Sequence, residues 1–225
     1  MKICFLGTGA ADWPSENPHD GKFFRRLSSL LVNSDLLIDP GPLVGDAVSE
    51  FNIDISKIKY IINTHPHGDH LSEKTLALLK EQGAQFIEFS DGEEKTVGSY
   101  KIKALRANHS IPCLHYLITD GEKKLFYGLD GAWLMYGEVQ EIIKNAPVDC
   151  AVFDATMGFI DGDYRIFEHN NLNMVLEMKK TLSAHINRFC ISHMARTLHK
   201  EHGDIVNDMS PFGVDVAYDG MTLEI

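Results

Sequence analysis

The six residues His65-Pro66-His67-Gly68-Asp69-His70 constrain this chain more than any other stretch of it. They follow Ile58-Lys59-Tyr60-Ile61-Ile62, a β-branched and apolar run that reads as a buried strand. They precede Ser72 and Glu73, which read as the N-cap and first turn of a helix containing Leu76, Leu78 and Leu79 and ending at Gly83. His65 and His67 are two apart on extended backbone, so their rings point to one side, and Gly68 lets the chain turn before Asp69 and His70. Polar groups placed directly after a buried strand are costly unless they are partnered. Imidazoles with a carboxylate are nitrogen and oxygen donors suited to zinc, manganese or iron.

The rest of the chain alternates short apolar runs with amphipathic stretches. Strands are expected at residues 2–6, 28–32, 36–38, 85–89, 100–105, 114–119, 124–127, 150–153 and 189–191. Helices are expected at 43–51, 135–145, 172–182 and around Ile205. Asn33-Ser34, Asp120-Gly121 and Asp219-Gly220 read as hairpin turns, the last joining strands at 214–218 and 222–225. Interleaved strands and helices with several hairpins predict an α/β fold built on mixed sheets rather than a purely parallel sheet. No Pro/Gly/Ser-rich linker interrupts the 225 residues, so a single domain spanning 1–225 is expected.

Lys and Arg total 21 against 32 Asp and Glu, a net charge of −11 with neutral histidines. This charge, without any long basic run, argues against a general affinity for phosphate backbones. Bound cations can still invert the local field, and 11 histidines make cation binding plausible. Cys4, Cys113, Cys150 and Cys190 are far apart in apolar segments and read as buried reduced thiols. With no apolar run near the membrane-spanning length and no signal-peptide pattern at the N-terminus, a cytoplasmic location away from membranes is expected.

The hexapeptide resembles the His-x-His-x-Asp-His signature of the metallo-β-lactamase superfamily. The resemblance continues in order: Asp39 after the 36–38 strand, His109 after Ala104-Leu105-Arg106-Ala107-Asn108, Asp130 in Tyr127-Gly128-Leu129-Asp130, and His193 in Cys190-Ile191-Ser192-His193. It implies a four-layer αββα sandwich with two mixed sheets and two divalent metals, zinc or manganese before iron. His65, His67 and His109 would hold one metal, Asp69, His70 and His193 the other, and Asp130 would bridge them. Asp39 would orient a ligand histidine or the loop after its strand. The family's di-iron oxygen reductases carry a carboxylate where this chain has His67, so the resemblance favours hydrolysis over redox chemistry.

Within the family, Glu168-His169-Asn170-Asn171-Leu172-Asn173 resembles a segment of the phosphodiesterase of the carbon–phosphorus lyase pathway, as do Gly7-Thr8-Gly9, Asp12-Trp13-Pro14 and Arg26-Leu27-Ser28-Ser29. That branch implies attack of a metal-bridging hydroxide on a small phosphodiester, with His169 as general acid beside the catalytic Asp69. Residues 14–24 lack the cysteines that hold the branch's structural zinc. The alternatives are a lactonase or carboxylic ester hydrolase and a non-catalytic accessory member, which the complete ligand set disfavours. Neither transfer RNA nor DNA is expected as a partner, given the charge and the missing RNA-gripping arm; a homodimer is compatible with the sequence.

Other residues stay open at this stage. Asp154 would stand behind the ligands or cap the next turn, and Arg26 would either reach a substrate phosphate bidentately or lie on the surface. Trp13 would floor a pocket or fill the core. His199 and His202 are expected on a solvated helix, and His115 and His185 show no partner pattern.

Overall fold

The computed structural model describes residues 1–16 and 23–225. The chain forms two compact units, Met1–Phe89 with Tyr218–Ile225, and Ser90–Ala217.

The first unit begins with β1 (Lys2–Gly7), β2 (Ser29–Val32) and β3 (Leu36–Ile38). Asn33 and Ser34 take positive φ values of 45° and 69°, the left-handed pair of a tight turn closed by the Asp35 N–H donating to Val32 O. Three residues, 33–35, thus join β2 to β3, which pair with Leu31 opposite Leu37. Next come α1 (Val44–Glu50), β4 (Tyr60–Ile62), α2 (Glu73–Glu81) and β5 (Gln85–Phe86). Ser72 caps α2 as expected, its hydroxyl accepting from Thr75 N. The strand β4 starts at Tyr60, two residues later than expected, after a 3-10 turn at residues 55–57. β3, β4 and β5 run parallel, and Leu6, Leu31, Leu37, Val44, Ile61 and Leu79 are among the buried residues of this unit's core.

The second unit contains β6 (Glu94–Val97), β7 (Tyr100–Arg106), β8 (Leu114–Thr119), β9 (Lys124–Gly128), α3 (Tyr136–Lys144), β10 (Val148–Asp154), α4 (Leu172–Leu182), β11 (Ile186–Ser192), α5 (His202–Met209) and β12 (Val214–Val216). The sheet order is β12-β11-β10-β9-β8-β7-β6. β6 to β9 are antiparallel, whereas β9, β10, β11 and β12 run parallel. β6 has no counterpart in the sequence reading, since its Glu-Lys-Thr-Val carries little apolar signal; it is held by pairing with β7. A separate core includes Phe126, Phe153, Val175, Phe189 and Ile191.

The chain then returns to the first unit with β13 (Thr222–Glu224), completing the order β13-β1-β2-β3-β4-β5. Here the expected final hairpin is corrected. Asp219-Gly220 does make a turn, with Gly220 at φ +84°, but the flanking strands do not pair with each other. β12 adds in parallel to β11, and β13 adds antiparallel to β1. Each apolar strand satisfies its backbone at an open sheet edge, a long-range choice that turn chemistry does not specify. The α/β class and the two mixed sheets are as expected. No helix among the described residues is long and apolar enough to cross a membrane.

Candidate functional site

Asp39 and the hexapeptide in the first unit, and Asp130, Asp154 and His193 in the second, sit at the carboxyl ends of parallel strands, where strand ends leave side chains and loops free to converge. His109 instead follows the antiparallel β7, and His169 lies in the connection before α4.

In the first unit Asp39 follows β3 and the hexapeptide follows β4. The Asp39 N–H donates to Ile62 O at 3.0 Å, which fixes the two strand ends side by side. Asp39 is fully buried and left-handed, with φ +60°. Its Oδ1 accepts from the Thr64 N–H at 2.7 Å and the Thr64 hydroxyl at 2.9 Å, and its Oδ2 lies 2.9 Å from His70 Nδ1. A carboxylate only accepts, so His70 carries its proton on Nδ1 and presents the Nε2 lone pair, 3.3 Å from Asp69. His65 is fixed in the same way. The Thr64 hydroxyl spends its proton on Asp39, so it accepts from His65 Nδ1 at 3.0 Å and leaves the Nε2 lone pair of His65 facing His67 Nδ1 at 2.8 Å. Asp39 therefore touches both the ligand candidate His70 and the loop after its neighbouring strand. Gly41 closes this packing, because a Cβ there would meet Asp69 O at 2.5 Å.

In the second unit Asp130 follows β9, Asp154 ends β10 and His193 follows β11, with Asp154 opposite Ser192 in the parallel register. Asp130 and His193 are left-handed, at φ +57° and +58°. Non-glycine residues in this conformation gather at functional sites. Asp130, Asp154, His169 and His193 present donor atoms all within 4.8 Å of one another, a set able to hold a metal ion. Fully buried Asp154 accepts from the Thr156 N–H, the Asn170 N–H and the Asp130 N–H at 3.0, 2.9 and 3.2 Å, so it stands behind the cluster and also caps its own turn.

Thr156 repeats the part played by Thr64. Its hydroxyl lies 3.0 Å from Asp154 Oδ2 and 2.8 Å from His193 Nδ1, so His193 donates from Nδ1 and turns a bare Nε2 toward Asp130 Oδ2 at 3.0 Å. A lone pair and a carboxylate oxygen at this distance repel unless a cation or proton lies between them, and the donor set thus fits a divalent metal. His109 donates from Nδ1 to Glu168 O at 3.2 Å, with its Nε2 3.9 Å from Asp130.

His169 Nδ1 lies 3.0 Å from Asp154 Oδ2, and its ring stacks on His193 with centroids 5.7 Å apart. Burial by itself would raise the Asp154 carboxyl, but the charge and hydrogen bond of His169, with His193, outweigh it and hold Asp154 well below the usual range. Burial likewise lowers His169, but the Asp154 charge and hydrogen bond overcome it and the net shift is upward. For His109 burial wins over the pull of Asp130, and its basicity is lowered.

Arg26 is corrected. It is buried rather than on the surface, and its guanidinium is committed to Asp46 (2.7 Å from Nε), Glu50 and Asp219 (3.6 Å) while lying over the Phe51 ring. His199 is corrected too: it precedes α5 instead of lying on a helix, and its Nε2 reaches Ala155 O at 2.5 Å. Trp13 packs edge-on against Phe23 and Phe24. Sequence reasoning missed Thr64 and Thr156; their signal is a threonine placed one or two residues from a strand-end histidine or aspartate.

The family model described as Metallo-beta-lactamase superfamily matches residues 25–73. Two curated proteins named Ribonuclease Z, from Lachnoclostridium phytofermentans and Lachnospira eligens, are 27% and 26% identical over 52% and 53% of this chain. The chain spans about half of their length, 48% of each. Among solved structures, the metallo-beta-lactamase fold protein YhfI from Bacillus subtilis superposes with a TM-score of 0.77 at 17% identity, covering 100% of this chain and 99% of that one. A diphosphatase from the PhnP family gives 0.74 at 17% identity, covering 100% and 97%. At these identities the superpositions establish the fold. The expectation that transfer RNA is no partner is corrected, because both curated relatives are ribonucleases of the Z type. Net charge averages over the whole surface and does not decide what a locally cationic metal site attracts.

Proposed function

We propose that the chain is a member of the metallo-β-lactamase superfamily, whose family model matches residues 25–73, and that it is a metal-dependent phosphodiesterase. The proposed ligands are His65, His67, Asp69 and His70 in the first unit and His109, Asp130 and His193 in the second, holding two divalent ions, zinc or manganese. When bound, such ions neutralise phosphoryl oxygens and lower the pKa of water toward neutrality.

The observation that carries the phosphodiester reading is the 3.0 Å contact between His169 Nδ1 and buried Asp154. Cleavage of a phosphodiester expels an alkoxide, a poor leaving group that needs a proton. Asp154 fixes His169 with Nδ1 as donor, so the proton available for transfer sits on Nε2 of the imidazolium. The same carboxylate raises the basicity of the ring, which keeps that proton in place near neutral pH. Asp39 and Thr64 hold the Nε2 atoms of His70 and His65 outward, and Thr156 does so for His193. The curated Ribonuclease Z relatives and the PhnP-family diphosphatase, both named for cleavage at phosphorus, support this reading.

The test is turnover of metal-loaded protein on a bis-aryl phosphate, an RNA with a 3′ extension and a lactone panel, with and without chelator. Phosphodiester cleavage that chelator abolishes is expected. Turnover of lactones with none on either phosphodiester would overturn the reading.

A further inference from the structure

His115 and Glu138 form a buried ion pair behind the backbone of the proposed ligand Asp130 and are themselves outside the proposed ligand set. His115 lies on β8 and is 1% exposed, and Glu138 lies in the first turn of α3 and is 2% exposed. His115 Nδ1 is 2.6 Å from Glu138 Oε1, and its Nε2 is 3.1 Å from the carbonyl oxygen of Leu129. Glu138 is anchored in turn, because its Oε2 accepts from the Met135 N–H at 2.7 Å.

Leu129 shares its peptide bond with Asp130, and the N–H of that peptide donates to Asp154 at 3.2 Å. One peptide group is thus gripped at both ends, its C=O by His115 and its N–H by Asp154. This peptide sets the backbone of Asp130, which is left-handed at φ +57°, a conformation that a non-glycine residue keeps only when its surroundings over-determine it. Gly131 makes room for the ring: a Cβ there would lie 2.6 Å from His115 Cε1 and 2.7 Å from Nε2.

We propose that the His115–Glu138 pair is a positioning device for Asp130, holding the Leu129–Asp130 peptide plane so that the carboxylate is pre-aimed for metal. The inference rests on the metal-dependent reading above. A buried hydrogen-bonded pair costs desolvation that an apolar pair would not, so its role is orientation rather than stability. His115 acts through Asp130 and touches no substrate.

The test is calorimetric titration of the metal-free protein with Zn²⁺ and with Mn²⁺, alongside its thermal unfolding and its kcat and KM on a bis-aryl phosphate. The variants are His115→Phe/Glu138→Gln, which leaves no unpaired buried carboxylate, and the milder Glu138→Gln, which keeps an acceptor for Met135. The expected result is metal affinity about tenfold to a hundredfold lower in the double variant, kcat reduced with KM nearly unchanged, and a smaller loss of the same kind in Glu138→Gln. If the double variant does not fold, Glu138→Gln alone decides. Folded variants that bind metal as tightly as the wild type overturn the positioning role while leaving the metal-dependent reading intact. A wild-type protein that binds neither ion overturns that reading itself, and the inference with it.

Discussion

The Thr156 hydroxyl donates to Asp154 at 3.0 Å while accepting from His193, and the Thr64 hydroxyl does the same between Asp39 and His65. In each unit one buried carboxylate at the end of a parallel strand dictates, through one hydroxyl, which nitrogen of a histidine carries the proton. Replacing Thr156 with Val removes the acceptor for His193 Nδ1–H, so the imidazole loses its fixed tautomer. Metal affinity should fall about tenfold to a hundredfold, and stability by about 1–3 kcal/mol for the buried polar groups left unpaired. Thr156→Ser should recover most of both. Metal titration together with thermal unfolding of the two variants checks this, and wild-type affinity in Thr156→Val would remove the relay from the account.

His169→Ala should lose about 10²–10⁴-fold in turnover on a phosphodiester with an alkoxide leaving group, and far less on a nitrophenyl ester, which leaves without a proton. The acid must be protonated to act, so the wild-type rate should fall as pH rises through the His169 pKa. That limb lies above the ordinary histidine value because Asp154 outweighs burial, and it should vanish in the variant. Equal losses on both substrates would mean that His169 positions phosphate instead of donating a proton.

Hydrolysis should depend on metal and not on thiols. Cys113, Cys150 and Cys190 are buried, and burial pushes the Cys150 thiol up to about 12 and Cys190 well above its usual value. A chelator should abolish turnover, while a thiol-blocking reagent applied to the folded protein should leave most of it. Rapid inactivation by the thiol reagent without unfolding would contradict this.

Asp219 gives a pH dependence of stability. Burial pushes its carboxyl up to about 6, against hydrogen bonds from Arg26 N and Thr8 and the charges of Arg25 and Arg26. Its unfolded value is about 3.9, so between about pH 4 and 6 the folded chain holds a proton that the unfolded chain has released. Stability from this group is therefore present below about pH 4 and lost as pH rises toward 6. Thermal melts of wild type and Asp219→Asn should show the difference between them shifting against the wild type by several degrees over that interval. A difference that is constant with pH would show that Asp219 does not titrate there.

The hexapeptide, the strand before it and the capped helix after it were legible in the sequence because each depends on neighbours within a few residues: alternation, a serine cap, a glycine stop. The same holds for the hairpin at Asn33-Ser34 and for Asp39, Asp130 and His193 as strand-end residues. Only the tertiary structure decided what those residues meet. Parallel strands bring Asp39 beside Thr64, and Asp154 beside Asp130 and His193, across separations that no local pattern encodes. Arg26 looked like a surface cation because the chain between it and Asp46, Glu50 and Asp219 carries no trace of their convergence. His115 lacked a partner for the same reason, since Glu138 reaches it from α3, beyond the next strand in the chain. The two apolar runs around Asp219-Gly220 had the local form of a hairpin, yet each found an open edge in a different sheet. Local chemistry selected the elements, and strand pairing over long sequence separations selected their partners.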